Sequence, residues 1–189
     1  TDWVFWQRTM AVNEYLYFNS TATAATDTAF MNSVLPSTTL ITLGDKANVN
    51  GASKAFVMYV WAQKQGYFEA GEYVGNNNAA DGTFCYTGFR PSLVIAKNKE
   101  QASSGPWSWQ CWNNNRIGYN GENNELYPNT TASESGENYM NFLSNGFKLA
   151  TANAGANDAN DDFVYCAWAE QPFVNSNGVP ANAYFQGPA

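Results

Sequence analysis

The sequence repeats itself, and the two copies are not equally complete. Five blocks of the 189-residue chain recur in the same order. Trp3-Val4-Phe5-Trp6 matches Trp109-Gln110-Cys111-Trp112, and YLYFNSTAT (residues 15–23) matches ELYPNTTAS (residues 125–133). Phe30-Met31-Asn32 matches Tyr139-Met140-Asn141, and Ile41-Thr42-Leu43 matches Phe147-Lys148-Leu149. Finally, FVMYVWAQ (residues 56–63) matches FVYCAWAE (residues 163–170). The offsets drift only between 106 and 110, so one unit of about 105–110 residues occurs twice, with small loop insertions. Copy two has a lead-in, roughly residues 66–106, ahead of its Trp109. Copy one has no counterpart to it, because Trp3 is already the match of Trp109.

This organisation predicts an incomplete first β repeat (1–65), a complete second β-sandwich repeat (66–173) and a C-terminal tail (174–189). Strand signals dominate. Runs rich in Val, Ile, Tyr, Phe and Trp fall at 3–7, 14–18, 39–43, 55–62, 67–74, 83–86, 92–97, 107–112, 147–150 and 163–170. Asn50-Gly51, Asp81-Gly82, Asn145-Gly146 and Asn177-Gly178 are turn pairs that tolerate positive φ, and the Asn-Gly within FLSNGFKL is the clearest hairpin signal. Residues 22–30 and 131–140 have room for a short helical turn. No long segment of helical period exists. The expected fold is all-β: antiparallel β-sandwich repeats of jelly-roll or concanavalin-like type, with the first copy incomplete. Without lead-in strands, copy one keeps an open sheet edge, so it is expected to be completed from outside the chain or to pack directly on copy two.

Composition removes whole classes of chemistry. There is no His, which excludes Ser-His-Asp and Cys-His catalysis and His-ligated metals. A net charge of −7, with only 9 Lys and Arg, argues against a nucleic-acid partner. No segment reaches the roughly 18 apolar residues needed to span a bilayer, and membrane insertion is not expected. Cys85, Cys111 and Cys166 fit no metal spacing, and Cys111 and Cys166 answer Phe5 and Tyr59 of copy one, which marks them as packing positions.

Three candidate sites remain. Asp158, Asp161 and Asp162 cluster in the loop NDANDD and could supply oxygens to Ca²⁺, although copy one has no carboxylate there and a solvated hairpin loop is the more economical reading. Glu122 with Glu125 and Glu134 with Glu137 are the available carboxylate pairs for glycoside hydrolysis, but both lie in Asn/Ser/Gly-rich connections. Trp107, Tyr119 and Asn120 combine aromatic faces with an amide, the chemistry that stacks on sugar rings and reads their hydroxyls; simple packing is the competing reading of Trp107. The sequons at Asn19 and Asn129 occupy equivalent positions and read as turn or cap hydrogen bonding.

The phrases DGTFCYTGFRPSLVIAKNK, ELYPNTTASESG, NFLSNGFKLAT and FVYCAWAEQPFV, together with YLYFNSTATAATDTAF, resemble a repeat of virion proteins from marine tailed bacteriophages such as cyanophages. The resemblance covers about residues 2–183. It implies a concanavalin A-like or laminin G-like sandwich in a tail fibre, spike or head appendage on the virion surface, without catalytic residues. It implies other virion proteins as partners, a homo-oligomer with a trimer as the expected form, and host-surface polysaccharide as a ligand. A capsid decoration protein and a glycan depolymerase are the alternatives. Asn113-Asn114-Asn115-Arg116 departs from the acidic-then-Arg run of such repeats.

Overall fold

The computed structural model describes residues 2–101, 107–116, 120–121, 124–136 and 138–171. Copy one contributes β1 (Val4–Phe5), β2 (Glu14–Tyr17), β3 (Ala25–Thr26) and the short helices α1 (Thr28–Met31) and α2 (Ala47–Asn50). The lead-in supplies β4 (Phe68–Val74), β5 (Phe84–Tyr86) and β6 (Pro91–Asn98). Copy two continues with β7 (Gln110–Asn113), β8 (Asn124–Leu126), β9 (Ser135–Gly136), β10 (Met140–Leu143), β11 (Gly146–Leu149), α3 (Ala154–Asn157) and β12 (Asp162–Ala169). Every strand pairing is antiparallel. The fold is all-β and sandwich-like, as the residue pattern predicts.

Among the described residues, three sheets stack in layers. The six-stranded sheet runs β4-β12-β6-β7-β8-β9, and the other two run β10-β11-β5 and β1-β2-β3. One face of the large sheet, including Tyr73, Val94, Trp112 and Phe163, packs on Phe142, Phe147 and Leu149 of the β10-β11-β5 sheet. Its other face meets copy one: Trp109, Val164 and Ile95 pack with Phe5, Leu16 and Phe18. Alternate residues of β12 therefore point into different cores, which is why the strand reads as a continuous apolar run. Copy one thus packs directly on copy two. Its own far side is closed by Tyr15 packed against Phe30 and Met31 of α1.

The internal repeat holds at the level of strand register. Phe5 faces Leu16 in copy one, and their counterparts Cys111 and Leu126 face one another in copy two. Glu14 opposite Thr26 becomes Asn124 opposite Gly136. The backbone N–H of Trp3 donates to Asn19 Oδ1 at 2.9 Å, and that of Trp109 donates to Asn129 Oδ1 at 3.0 Å. The two sequon asparagines thus hold equivalent strands. The short helices correspond as well: Asn50 Nδ2 donates to Gly44 O at 3.0 Å, and Asn157 Nδ2 donates to Thr151 O at 2.7 Å.

Several local expectations are corrected. Residues 39–43 and 55–62 carry no strand. The counterpart of residues 55–62, β12, pairs with the lead-in strands β4 and β6, and that of residues 39–43, β11, pairs with the lead-in strand β5 as well as with β10; a strand-forming sequence that lacks neighbours has little to bond to. The described residues of 131–140 hold no helical turn and instead contain β9 and the first residue of β10. The β10–β11 hairpin closes through Ser144 and Asn145, neither of which has positive φ. Gly146 is needed for space, because a Cβ there would sit 2.1 Å from the carbonyl oxygen of Cys85.

Candidate functional site

The sequence candidates part company in three dimensions. Asn120 sits at φ 50°, and its side chain is engaged with the backbone of β10: Nδ2 donates to Phe142 O at 2.8 Å and Oδ1 accepts from Phe142 N at 2.7 Å. An amide held in this way acts as a clasp on the strand edge. Trp107 is half-buried, and its Nε1 is buried with no hydrogen-bond partner among the described residues. Tyr119 lies outside the described residues. So do Glu122 and Glu137. Glu125 is fully buried and accepts a hydrogen bond from Tyr127 Oη, while Glu134 accepts from Arg116 and Asn124.

In the acidic loop, Asp161 Oδ2 accepts from Asn98 Nδ2 at 2.8 Å and Asp158 Oδ1 accepts from Ala159 N at 3.0 Å. Asp162 donates its backbone N–H to Glu100 Oε2 at 3.1 Å. The three aspartates serve different neighbours. Among the described residues, no group of three or more Asp, Glu or Cys side chains comes together to hold a metal ion. The cysteines are free thiols. Burial pushes Cys166 up to about 12 and raises Cys85 and Cys111 as well, so thiolate chemistry is suppressed at all three.

Two surface features escaped the sequence reading. The first is a row of exposed aromatics: Trp3 stacks on Tyr59 at 6.3 Å, Tyr59 on Trp61 at 6.2 Å, and Trp61 meets Trp168 edge-on at 5.8 Å. Its signal is the unbroken apolar run FVMYVW, which the match to FVYCAWAE marks as a strand. The second is a recess of about 310 Å³ lined by Gln63, Gln65, Glu69, Tyr86, Thr87 and Gly88. These residues are scattered in sequence, and no motif joins them.

A domain of unknown function, DUF7483, matches residues 1–172, taking in both copies. The chain belongs to the DUF7483 family. No curated protein and no solved structure matches it.

Within the DUF7483 domain the most unusual electrostatics lie between the copies. Lys97 is fully buried on β6, and its Nζ donates to Asn98 O at 2.7 Å and to Gln101 O at 3.4 Å. Alternation along β6 puts Lys97 on the same face as Ile95, which packs against copy one. Nearby, Lys99 pairs with Glu72 at 3.0 Å and with Glu14 of copy one at 3.6 Å, and its carbonyl accepts from Ala24 N at 2.7 Å. Burial without a carboxylate partner brings Lys97 down to about 8. Between about pH 8 and 10.5 the unfolded chain keeps a proton that the folded chain has shed, so this lysine's penalty is full below pH 8 and fades as pH rises through that window. Lys97→Met should therefore gain stability relative to the parent by more at pH 7 than at pH 10. Urea unfolding of both proteins at the two pH values checks this; equal differences would show that the lysine stays charged in the fold.

Proposed function

We propose that this DUF7483 domain is a non-enzymatic structural unit of a bacteriophage virion surface, in a tail fibre, spike or head appendage. The observation that carries the reading is the reuse of one strand register in two stacked copies. The β1-β2-β3 and β7-β8-β9 meanders share their pairing, and the copies are locked by Trp109, whose Nε1 donates to Tyr17 O at 2.9 Å. Copies that repeat a register and bury their aromatics against one another make a rigid building element. The resemblance to marine phage virion repeats supplies the setting, and closed symmetry with a trimer is the expected assembly.

Carboxylates are used in ways that fit a scaffold. Glu134 is ion-paired with Arg116, and Glu125 is fully enclosed. Host-surface polysaccharide is the proposed ligand. The test is mass spectrometry and a particle map of the phage that encodes the chain. A copy number matching a symmetric appendage is expected. A copy on every capsomer would assign a decoration role instead, and absence from the particle would overturn the reading. Release of reducing ends from host polysaccharide would make it a depolymerase.

A further inference from the structure

Copy one contains residues that behave as a strand deprived of both neighbours. Residues 56–61 (FVMYVW) are all exposed, from 39% at Phe56 to 79% at Val57. Six consecutive apolar side chains in water make a patch that calls for a cover. Among the described residues, no backbone N–H or C=O of residues 55–63 bonds to another backbone group. Their counterparts in copy two form β12, which is bonded along one edge to β4 and along the other to β6.

The same absence of neighbours recurs at β1. It is the outermost strand of its sheet and bonds only to β2, whereas its counterpart β7 bonds to β8 on one side and to β6 on the other. Leu43 is also exposed; its counterpart Leu149 is buried in the strand that pairs with β5. The pattern is consistent. Copy-one residues whose counterparts pair among β7, β8 and β9 are formed, and residues 55–62, whose counterparts pair on both edges with the lead-in, are open.

We infer that residues 55–62 are a docking strand for a lead-in-class segment, a strand pair with the sequence pattern of Phe68–Val74 and Pro91–Asn98. One donated strand takes the place of β6 and lies between β1 and residues 55–62. The other takes the place of β4 along the far edge of residues 55–62. The completed sheet repeats the order of copy two, and the register of β12 carries over: Met58 stands opposite the residue matching Ala96, and Val60 opposite the residue matching Val94. The donor is not a second copy of this chain as folded, because its β4 and β6 are already bonded to its own β12. Recognition is β-strand addition, with backbone bonds for affinity and alternate side chains for register. The inference is independent of any role in a virion.

The experiment adds a second lead-in, residues 66–108 of this sequence, ahead of Trp3 in the full chain and follows amide hydrogen exchange. In the parent, amides 56–62 should exchange freely; in the fusion they should slow by about 100-fold or more, as paired strands do. A Val94→Pro change in the added lead-in alone should restore fast exchange by removing a bond from the inserted strand. Amides 163–168 report that copy two is folded in every sample. If they lose protection in the fusion, the same readout is taken on the parent with a peptide of residues 66–101 added in trans, where slowing of 56–62 is again expected. Unchanged exchange of 56–62 beside intact 163–168, in the fusion or with the peptide, overturns the proposal. So does slow exchange in the parent together with a doubled mass, which would mean that the strand pairs with itself.

Discussion

Trp109→Ala should destabilise the fold by about 3–5 kcal/mol, the range for removing a large aromatic from a closed site. Trp109 is 1% exposed, and its ring lies 4.8 Å from Phe5 and 4.9 Å from Phe18, both in copy one. The indole belongs to copy two by sequence and to copy one by packing. Its loss should also leave Tyr17 O with only the Ser20 N–H, at 3.2 Å, of the two donors named for it, and exchange should quicken first in β1 and β2. Trp109→Phe keeps most of the buried ring and drops the hydrogen bond, so it should cost only about 1–2 kcal/mol. Urea unfolding of the two variants decides the matter. A loss under about 1 kcal/mol for the alanine variant would mean that the copies are not locked at this residue.

Gly146→Ala should be nearly as damaging, by overpacking. The added methyl would lie 2.1 Å from the Cys85 carbonyl oxygen and 3.1 Å from its carbon, and both are backbone atoms that no rotamer change can move aside. Strand β11 must then part from β5, breaking the pairing of Phe147 with Cys85 and exposing a core in which Phe147 is fully buried. About 3 kcal/mol is expected, at the upper end for inserting a methyl into a packed site. The turn itself should survive, since Ser144 and Asn145 are unchanged. Retained β10–β11 cross-strand contacts by NMR, with β5 released, would identify the clash as the cause. An unchanged melting temperature would refute it.

The all-β character was legible because Val, Ile and aromatic residues mark the strands that have partners. The repeat was legible too, down to the asparagines 19 and 129 that hold matching strands. What could not be read was which strand-like runs would find neighbours. Residues 55–62 match β12 at four of eight positions, yet pairing depends on β4 and β6, which lie elsewhere in the chain. Strand-like runs also do not say which core each aromatic enters: Trp168 lies half-buried on the outward face with Phe68 and Trp109 serves the contact between copies, while Trp112, Phe147, Leu149 and Phe163 fill the sandwich. At the candidate site, Asn120 looked like a sugar-reading amide; its two bonds to Phe142 come from a fold contact 22 residues away that no local pattern announces.

The shared use of β12 has a consequence for how the protein comes into being. Leu16, made early, is sealed from water partly by Val164, which is among the last residues to be added to the described fold. A ribosome releases the N-terminal half first. Copy one must wait, unsealed, until β12 has threaded between β4 and β6 and offered the face that carries Val164. The earlier copy therefore closes its core only once the later one is complete.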